Sequence, residues 1–389
     1  MSFSGTNTTS YAGGICGISG AVNKTVTSSI ITECENLGAV TGKEEVGGIA
    51  AYSSGTVTKC CNKADVTALG GYSGGIVGYN YEGSVLLDSC YNTGKVTASG
   101  YGGGIAGKSY NCDISNSYNA GEVAAEKAGG ILGYTVSGYL VKNCYYLSGT
   151  APMPYAQNSG AGFEEKTKEQ LSQMAQKLGS AFLQTDGLPI LAWEKNGAED
   201  IGGKPSGGET ETPEEPRKDS EKAPEFATSG SWTEFAASTF SGGDGSAENP
   251  YLISDGAQLA YLGKRVNGGE SFKNVHFALT AGIDITDKFF APIGNSEETP
   301  FAGYFDGNGF EIVYNGSGAA VGGLFGFTDG AHISMLGASG LAEGTELAGG
   351  IAACAKNTVF ENCYSNVFVK SSGTAGGLAG KILSGSSVT

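Results

Sequence analysis

Small and apolar positions recur along this chain with a period of about 27 residues. A Gly-Gly-aliphatic motif stands at Gly13, Gly47, Gly74, Gly103 and Gly129, at intervals of 34, 27, 29 and 26 residues. It returns at Gly322, Gly349 and Gly376, spaced by 27 and 27. Inside each period a second column runs through Cys34, Cys60, Cys90, Ser117, Cys144 and Cys363. Three residues before it lie Ile31, Val57, Leu87, Ile114, Val141 and Phe360, and six after it Val40, Val66, Val96, Val123 and Val369, with Thr150 breaking that last column. Fixed apolar columns with length variation between them predict a stack of short strands, because equivalent residues can bury one another only when they lie in register. Each period holds three β-prone pieces, so the expected fold is all-β, a parallel β-helix (β-solenoid) with about three short strands per rung and rungs ~4.8 Å apart. Repeated small residues with abundant Val and Thr disfavour helix.

The pairing of glycines predicts corners that use a positive φ or a close backbone approach. Asn36, Asn62, Asn92 and Asn119 form one further column, read as a hydrogen-bonded ladder at a turn. Tyr91, Tyr118, Tyr145 and Tyr364 stand between these columns, interrupted by Glu35 and Cys61, and read as corner packing.

The pattern divides the chain. Residues 1–148 carry about five rungs. Residues 149–195 read as a helix-containing C-terminal cap: Thr167 to Gln170 has the form of a capping box, followed by Leu171, Met174 and Leu178. Residues 196–228 are rich in Gly, Pro and Glu and predict a flexible acidic linker. Residues 229–318 form the opening cap region of a second module, with a helix starting at Asp255 and Gln258, burying Leu259, Leu262 and Val266, and ending at Gly268-Gly269. Residues 319–389 resume the solenoid. The first module starts inside an array and the second stops inside one, which reads as a piece of a longer tandem protein with open rung edges fit for end-to-end self-association.

These residues resemble the GLUG-motif repeats of surface proteins from Gram-positive and gut anaerobic bacteria. The resemblance rests on GGIAG-type motifs coupled to Cys90-Tyr91-Asn92-Thr93-Gly94-Lys95-Val96-Thr97, on the segment Gly242 to Ile253, on Phe305-Asp306-Gly307-Asn308-Gly309-Phe310, and on Leu178-Gly179-Ser180-Ala181-Phe182. It implies a bacterial cell-surface or secreted setting, with adhesion to a glycan or protein ligand as the expected function, and it implies no catalytic residue.

Composition narrows the chemistry. A net charge of −16 argues against a phosphate-binding surface of clustered Lys and Arg, so no nucleic-acid partner is expected. No apolar run is long enough to cross a membrane, so no membrane insertion is expected of these residues. Targeting and anchoring segments are absent from the sequence, so extracellular placement depends on segments outside it. The nine cysteines show no CxxC pair, and stacked side chains pointing the same way fit a disulfide poorly, so buried thiols are expected. With two histidines, His276 and His332, there is no HExxH, and there is no GxSxG; both histidines lie in apolar strand-like contexts and are expected to pack there. Asp306 and Asp244 are the visible carboxylates for a polysaccharide-active β-helix enzyme, but both sit among glycines in turns. The expectation is therefore a protein without enzymatic activity, cofactor or metal. A spacer presenting another domain, or a polysaccharide-active enzyme, are the alternatives. The candidate ligand contacts are Tyr52, Tyr79 and Tyr134, which follow the inward aliphatic residue by three positions and so fall on the outer face. Ile18 and Lys108 interrupt this stripe, and Phe327, Cys354 and Lys381 replace it in the second module.

Overall fold

The computed structural model describes the chain apart from residues 1–9, 21–28, 82–85, 137–139, 156–161, 196–223, 225 and 227–229. The linker reading for 196–228 thus falls almost wholly outside the described residues. Three long parallel sheets of 15, 12 and 8 strands wind into a solenoid of about twelve coils, and one small antiparallel pair joins Phe182–Leu183 to Ile190–Leu191. Equivalent residues one period apart lie on top of one another. The amide of Ile49 donates to the Ile76 carbonyl at 2.9 Å, that of Ile76 to Ile105 at 3.0 Å, and that of Ile105 to Ile131 at 2.9 Å. The inward columns, among them Ile31, Val57, Leu87, Ile114 and Ile49, Ile76, Ile105, are almost fully excluded from solvent and form one continuous core.

The two arrays do not stand in tandem with open edges. The last strands of the chain pair with its first described ones. Thr374–Gly376 lies beside Tyr11–Gly13, Ala379–Ile382 beside Cys16–Ser19, and Ser387–Val388 beside Ile30–Thr32, all parallel. The amides of Leu378 and Ala379 donate to the Ile15 carbonyl at 3.0 Å each, so the Gly-Gly-aliphatic ladder crosses the joint without a break. In space the order is residues 230–389, then 10–155, then the strand Phe163–Lys166. Along these three strands each array's edge N–H and C=O groups are satisfied by the other's, which is why matched periods join, whereas Glu35–Asn36, Val40–Gly42 and Tyr364–Ser371 pair on one side only among the described residues. Association between copies through these edges therefore requires the joint to form between chains instead of within one.

Glycine is demanded at the corners by space, not by a left-handed backbone. A Cβ on Gly47 would stand 2.0 Å from the Ala50 carbonyl oxygen, and one on Gly48 would stand 2.1 Å from the Gly75 oxygen and 2.4 Å from Asn62 Cγ. Gly75 and Gly104 meet Asn92 and Asn119 in the same way, at 2.4 and 2.2 Å. The second glycine thus exists to seat the asparagine column. There Nδ2 of Asn36, Asn62 and Asn92 donates to Oδ1 of the next asparagine at 2.7, 2.7 and 2.8 Å, and also to the carbonyl two residues on. The left-handed positions are elsewhere, immediately before the cysteine column: Glu33, Lys59, Ser89, Asn116, Asn143 and Asn362 have φ between 48° and 54°. Tolerance of αL by Asn is an ordinary sequence signal, but Glu and Lys carry none.

All nine cysteines are free, eight of them buried. Each column thiol points along the same direction and donates to the carbonyl two residues earlier, as Cys60 does to Thr58 at 3.1 Å and Cys90 to Asp88 at 3.3 Å. Burial pushes the Cys144 and Cys363 thiols up to about 12 and Cys354 up to about 11, so little thiolate forms at neutral pH. Iodoacetamide added to the native chain at pH 8 is expected to label few cysteines. After unfolding without reductant, intact mass should show all nine labelled; several blocked thiols would contradict the arrangement.

One end is closed as the sequence predicts and the other is not. At one end the helix Gly256–Asn267, capped by Asp255 accepting from the Gln258 amide at 2.9 Å, buries Leu259, Leu262 and Val266 in the main core. At the other, Phe163–Lys166 adds a strand to Val141–Leu147. The helical turns Lys168–Leu171 and Ala175–Leu178 do not plug that end. They lie along the side of the solenoid, where Leu171, Met174, Leu178 and Phe182 bury the outer column Cys61, Tyr91, Tyr118 and Tyr145. The Tyr118 hydroxyl donates to the Pro189 carbonyl at 2.6 Å, and Tyr91 to Glu194 at 2.8 Å. These tyrosines form the seat of the cap, whereas Tyr364, without a cap above it, is exposed.

Candidate functional site

The bend at each Gly-Gly-aliphatic motif turns the outer faces of two sheets toward each other. On the 8-stranded sheet one outward column runs Lys381, Ile18, Tyr52, Tyr79, Lys108, Tyr134. On the 12-stranded sheet the facing column runs Thr374, Tyr11, Glu45, Tyr72, Tyr101, Lys127. Close approach is allowed by a further glycine on each strand: a Cβ on Gly78 would lie 2.7 Å from the Val46 amide nitrogen, and one on Gly107 2.8 Å from the Ser73 oxygen. The result is a concave corner lined with aromatic rings.

The three tyrosines predicted from spacing do share one column, but their outer face is the inside of this corner. Tyr52 is 1% exposed, held edge-on by Tyr11 at 5.9 Å and Tyr79 at 5.4 Å. It is a floor, not a contact residue. Tyr79 and Tyr134 are partly open, together with Tyr11, Tyr72, Tyr81, Tyr101 and Tyr110. Tyr81 stacks on Tyr110 at 5.1 Å, Tyr101 packs on Tyr134 at 4.9 Å, and the Lys108 ammonium lies 4.1 Å from the Tyr79 ring centre and 4.9 Å from that of Tyr72. Tyr11, Tyr72 and Tyr101 were missed by following one column alone. Their signal was present, two residues before the first glycine of each motif.

One acid lies within the corner. Burial, and secondarily Glu44, pushes the Glu45 carboxyl up to about 7, opposed by Lys108, and its buried Oε2 has no hydrogen-bond partner among the described residues. Burial in turn lowers the Lys108 ammonium. A carboxyl whose folded-state pKa exceeds its unfolded value costs stability as pH rises from about 4.5, the value of a free carboxyl, to about 7. Glu45→Gln is therefore expected to match the native chain at pH 4.5 and to exceed it in thermal midpoint at pH 8, and scans at both pH values check this. An equal midpoint at pH 8 would show that the corner does not desolvate Glu45.

Glu35, Cys61 and Glu194 converge closely enough to ligate an ion, but the Lys63 ammonium already bridges Glu35 and Glu194, the latter at 2.7 Å. Asp244 is spent on its own turn, accepting from the Ser246 amide at 3.0 Å. His276 and His332 are not packed inward: they share one outward column with Tyr304 between them, and Asp306 stands in the neighbouring column. The inward residue of each strand is the phenylalanine or isoleucine next to the histidine, Phe277 and Ile333. Among the described residues no helix is long and apolar enough to cross a membrane.

No family model matches the chain. A stretch of 105 residues, 27% of the chain, is 34% identical to a protein of Evansella cellulosilytica described as a "Putative Gly-rich membrane protein", of which the chain spans 11%. Among solved structures, a "putative immunoglobulin A1 protease" from Bacteroides ovatus aligns with 47% of this chain and 64% of its own, at 22% identity and a TM-score of 0.36. The chain thus matches that relative over about a quarter of its own length, and its fold is that of a β-solenoid repeat protein.

Proposed function

We propose that this chain is a repeat region of a GLUG-type bacterial surface protein, displayed outside the cell and non-catalytic, whose tyrosine-lined corner adheres to a glycan. The observation that carries this reading is the pair of facing columns, in which partly open Tyr72, Tyr79, Tyr101 and Tyr134 are held in fixed orientation by ring packing and by Lys108. Rigid aromatic side chains with exposed hydroxyls supply contact area at low entropic cost. The glycine-rich membrane relative and the acidic composition support a surface setting. The packing of Tyr52 beneath the others favours the second reading, a spacer in which the rings only hold the two sheets together.

A glycan array probed with the whole chain separates the two. Adhesion through the corner requires that Tyr79→Ala and Tyr101→Ala each weaken the bound glycan at least tenfold, about 1.4 kcal/mol, with thermal midpoints close to that of the parent. Loss of midpoint without any glycan bound by the parent chain supports the spacer.

A further inference from the structure

Both histidines of the chain line one cleft, far along the solenoid from the tyrosine corner. Consecutive coils stack His276 on Tyr304 with ring centres 4.2 Å apart and planes 3° from parallel, and His332 meets Tyr304 edge-on at 5.9 Å. The next outward column is Ala278, Asp306, Ser334 and Glu361. The cleft has a volume of about 170 Å³, closed on one side by Ala247 and Pro250 of the loop that opens the module. Small Ala278 and Ser334 flank Asp306, so its carboxylate stands in a gap beside the ring stack. One of its oxygens accepts from the Asn308 amide at 2.8 Å, which fixes the rotamer. His332 is oriented in turn by Glu361, 3.1 Å from Nε2.

We infer that this cleft binds one unit of a neutral glycan, through hydrogen bonds from its hydroxyls to Asp306 and Ser334 and from the imidazole and phenol edges of His276, Tyr304 and His332. The arrangement selects against other ligands. A single metal ion cannot be shared by the two imidazoles, because the Tyr304 ring lies between them. An acidic sugar or a phosphate would meet Asp306 and Glu361 without a lysine or arginine in the lining. Hydroxyl groups, which both donate and accept, satisfy a carboxylate, a serine and an imidazole of either tautomer alike. The volume lies below the ~300 Å³ of a typical drug-sized site and suits one sugar ring. The stack repeats at the ~4.8 Å rung spacing, so a linear glycan laid along the solenoid axis would meet one polar ring edge per coil.

The chain contains no histidine other than these two, so the imidazole Hε1 resonances report this cleft and no other place. The full chain is titrated with neutral oligosaccharides of β-1,4-linked glucose, xylose and mannose, and with oligogalacturonate for comparison. At least one neutral series should shift both histidine signals with a saturable dependence, and Asp306→Asn should weaken that dependence at least tenfold while leaving the unliganded spectrum folded. Tyr79→Ala should leave the titration unchanged, so failure of the tyrosine corner as an adhesive surface does not touch this result. Absence of any shift with all three neutral series, a titration unaffected by Asp306→Asn, or tighter binding of oligogalacturonate would each overturn the assignment.

Discussion

Replacing Gly75 by alanine should open the coils around it. The added methyl would stand 2.1 Å from the Gly104 carbonyl oxygen and 2.4 Å from Asn92 Cγ, and backbone on the neighbouring coil cannot retreat as a flexible side chain would. Overpacking of this kind costs about 3 kcal/mol or more. A solenoid distributes stability coil by coil, so the loss is best read locally, by hydrogen exchange. The amides of Ile76 and Ile105, which donate along the ladder at 3.0 and 2.9 Å, should lose at least about 100-fold in protection. Asn92→Ala should act on the same coils for a different reason. It deletes donations at 2.8 Å to Asn119 and to the Gly94 carbonyl and removes the acceptor of Asn62, about 2–3 kcal/mol in all. Because one clash of Gly75→Ala is with Asn92 itself, the double variant should cost less than the sum. Gly38→Ala is the control: its nearest neighbour would be 3.9 Å away, and exchange should hardly change. Equal protection in Gly75→Ala and the parent would mean that the asparagine column is not seated against these glycines.

That coupling shows what could and could not be read from the residues alone. The period, the inward aliphatic columns and the asparagine ladder were legible, since each depends only on equivalent positions lying one coil apart. Helix caps at Asp255 and Thr167 were legible too, because a cap is a local arrangement of side chain and amide. What escaped were relations between faces. Spacing said that Tyr52 points outward, and it does, but the Gly-Gly bend folds that outward face against another sheet, and no one-dimensional pattern records the angle of a corner. The same applies to His276 and His332. Their apolar neighbours marked a strand correctly, yet strand alternation put the phenylalanine or isoleucine inside and the imidazole outside. The cap was misplaced because burial of Tyr91, Tyr118 and Tyr145 by Leu171 and Leu178 is a sideways contact that leaves no periodic trace.

The joint between the two arrays gives the other large effect, a change from one particle to two. Residues 196–228 number 33 and span at most ~110 Å when extended, whereas about twelve coils at ~4.8 Å are ~58 Å long. Trp193 and Glu194, just before the segment, bond to Lys59 and Lys63 partway along the solenoid, so a chain of that reach suffices to bring residue 230 to the far end while the arrays meet in the middle. Cutting it with a protease site placed between Gly203 and Gly207 should leave a complex of unchanged mass by light scattering, because three sheets and the core cross the joint. Tethering is then what protects a damaged joint. Gly17→Val would drive a side chain into Thr374, whose Cγ2 lies 2.5 Å from the Cβ position, and into the Gly380 oxygen at 2.7 Å. In the uncut chain the linker holds the halves at high effective concentration and the particle should stay single. After cutting, Gly17→Val should separate into two species at micromolar concentration while the parent does not. Separation of the cut parent would show that the arrays fold as independent solenoids, and the continuous core from Ile351 through Leu378 to Ile49 would then have to be abandoned.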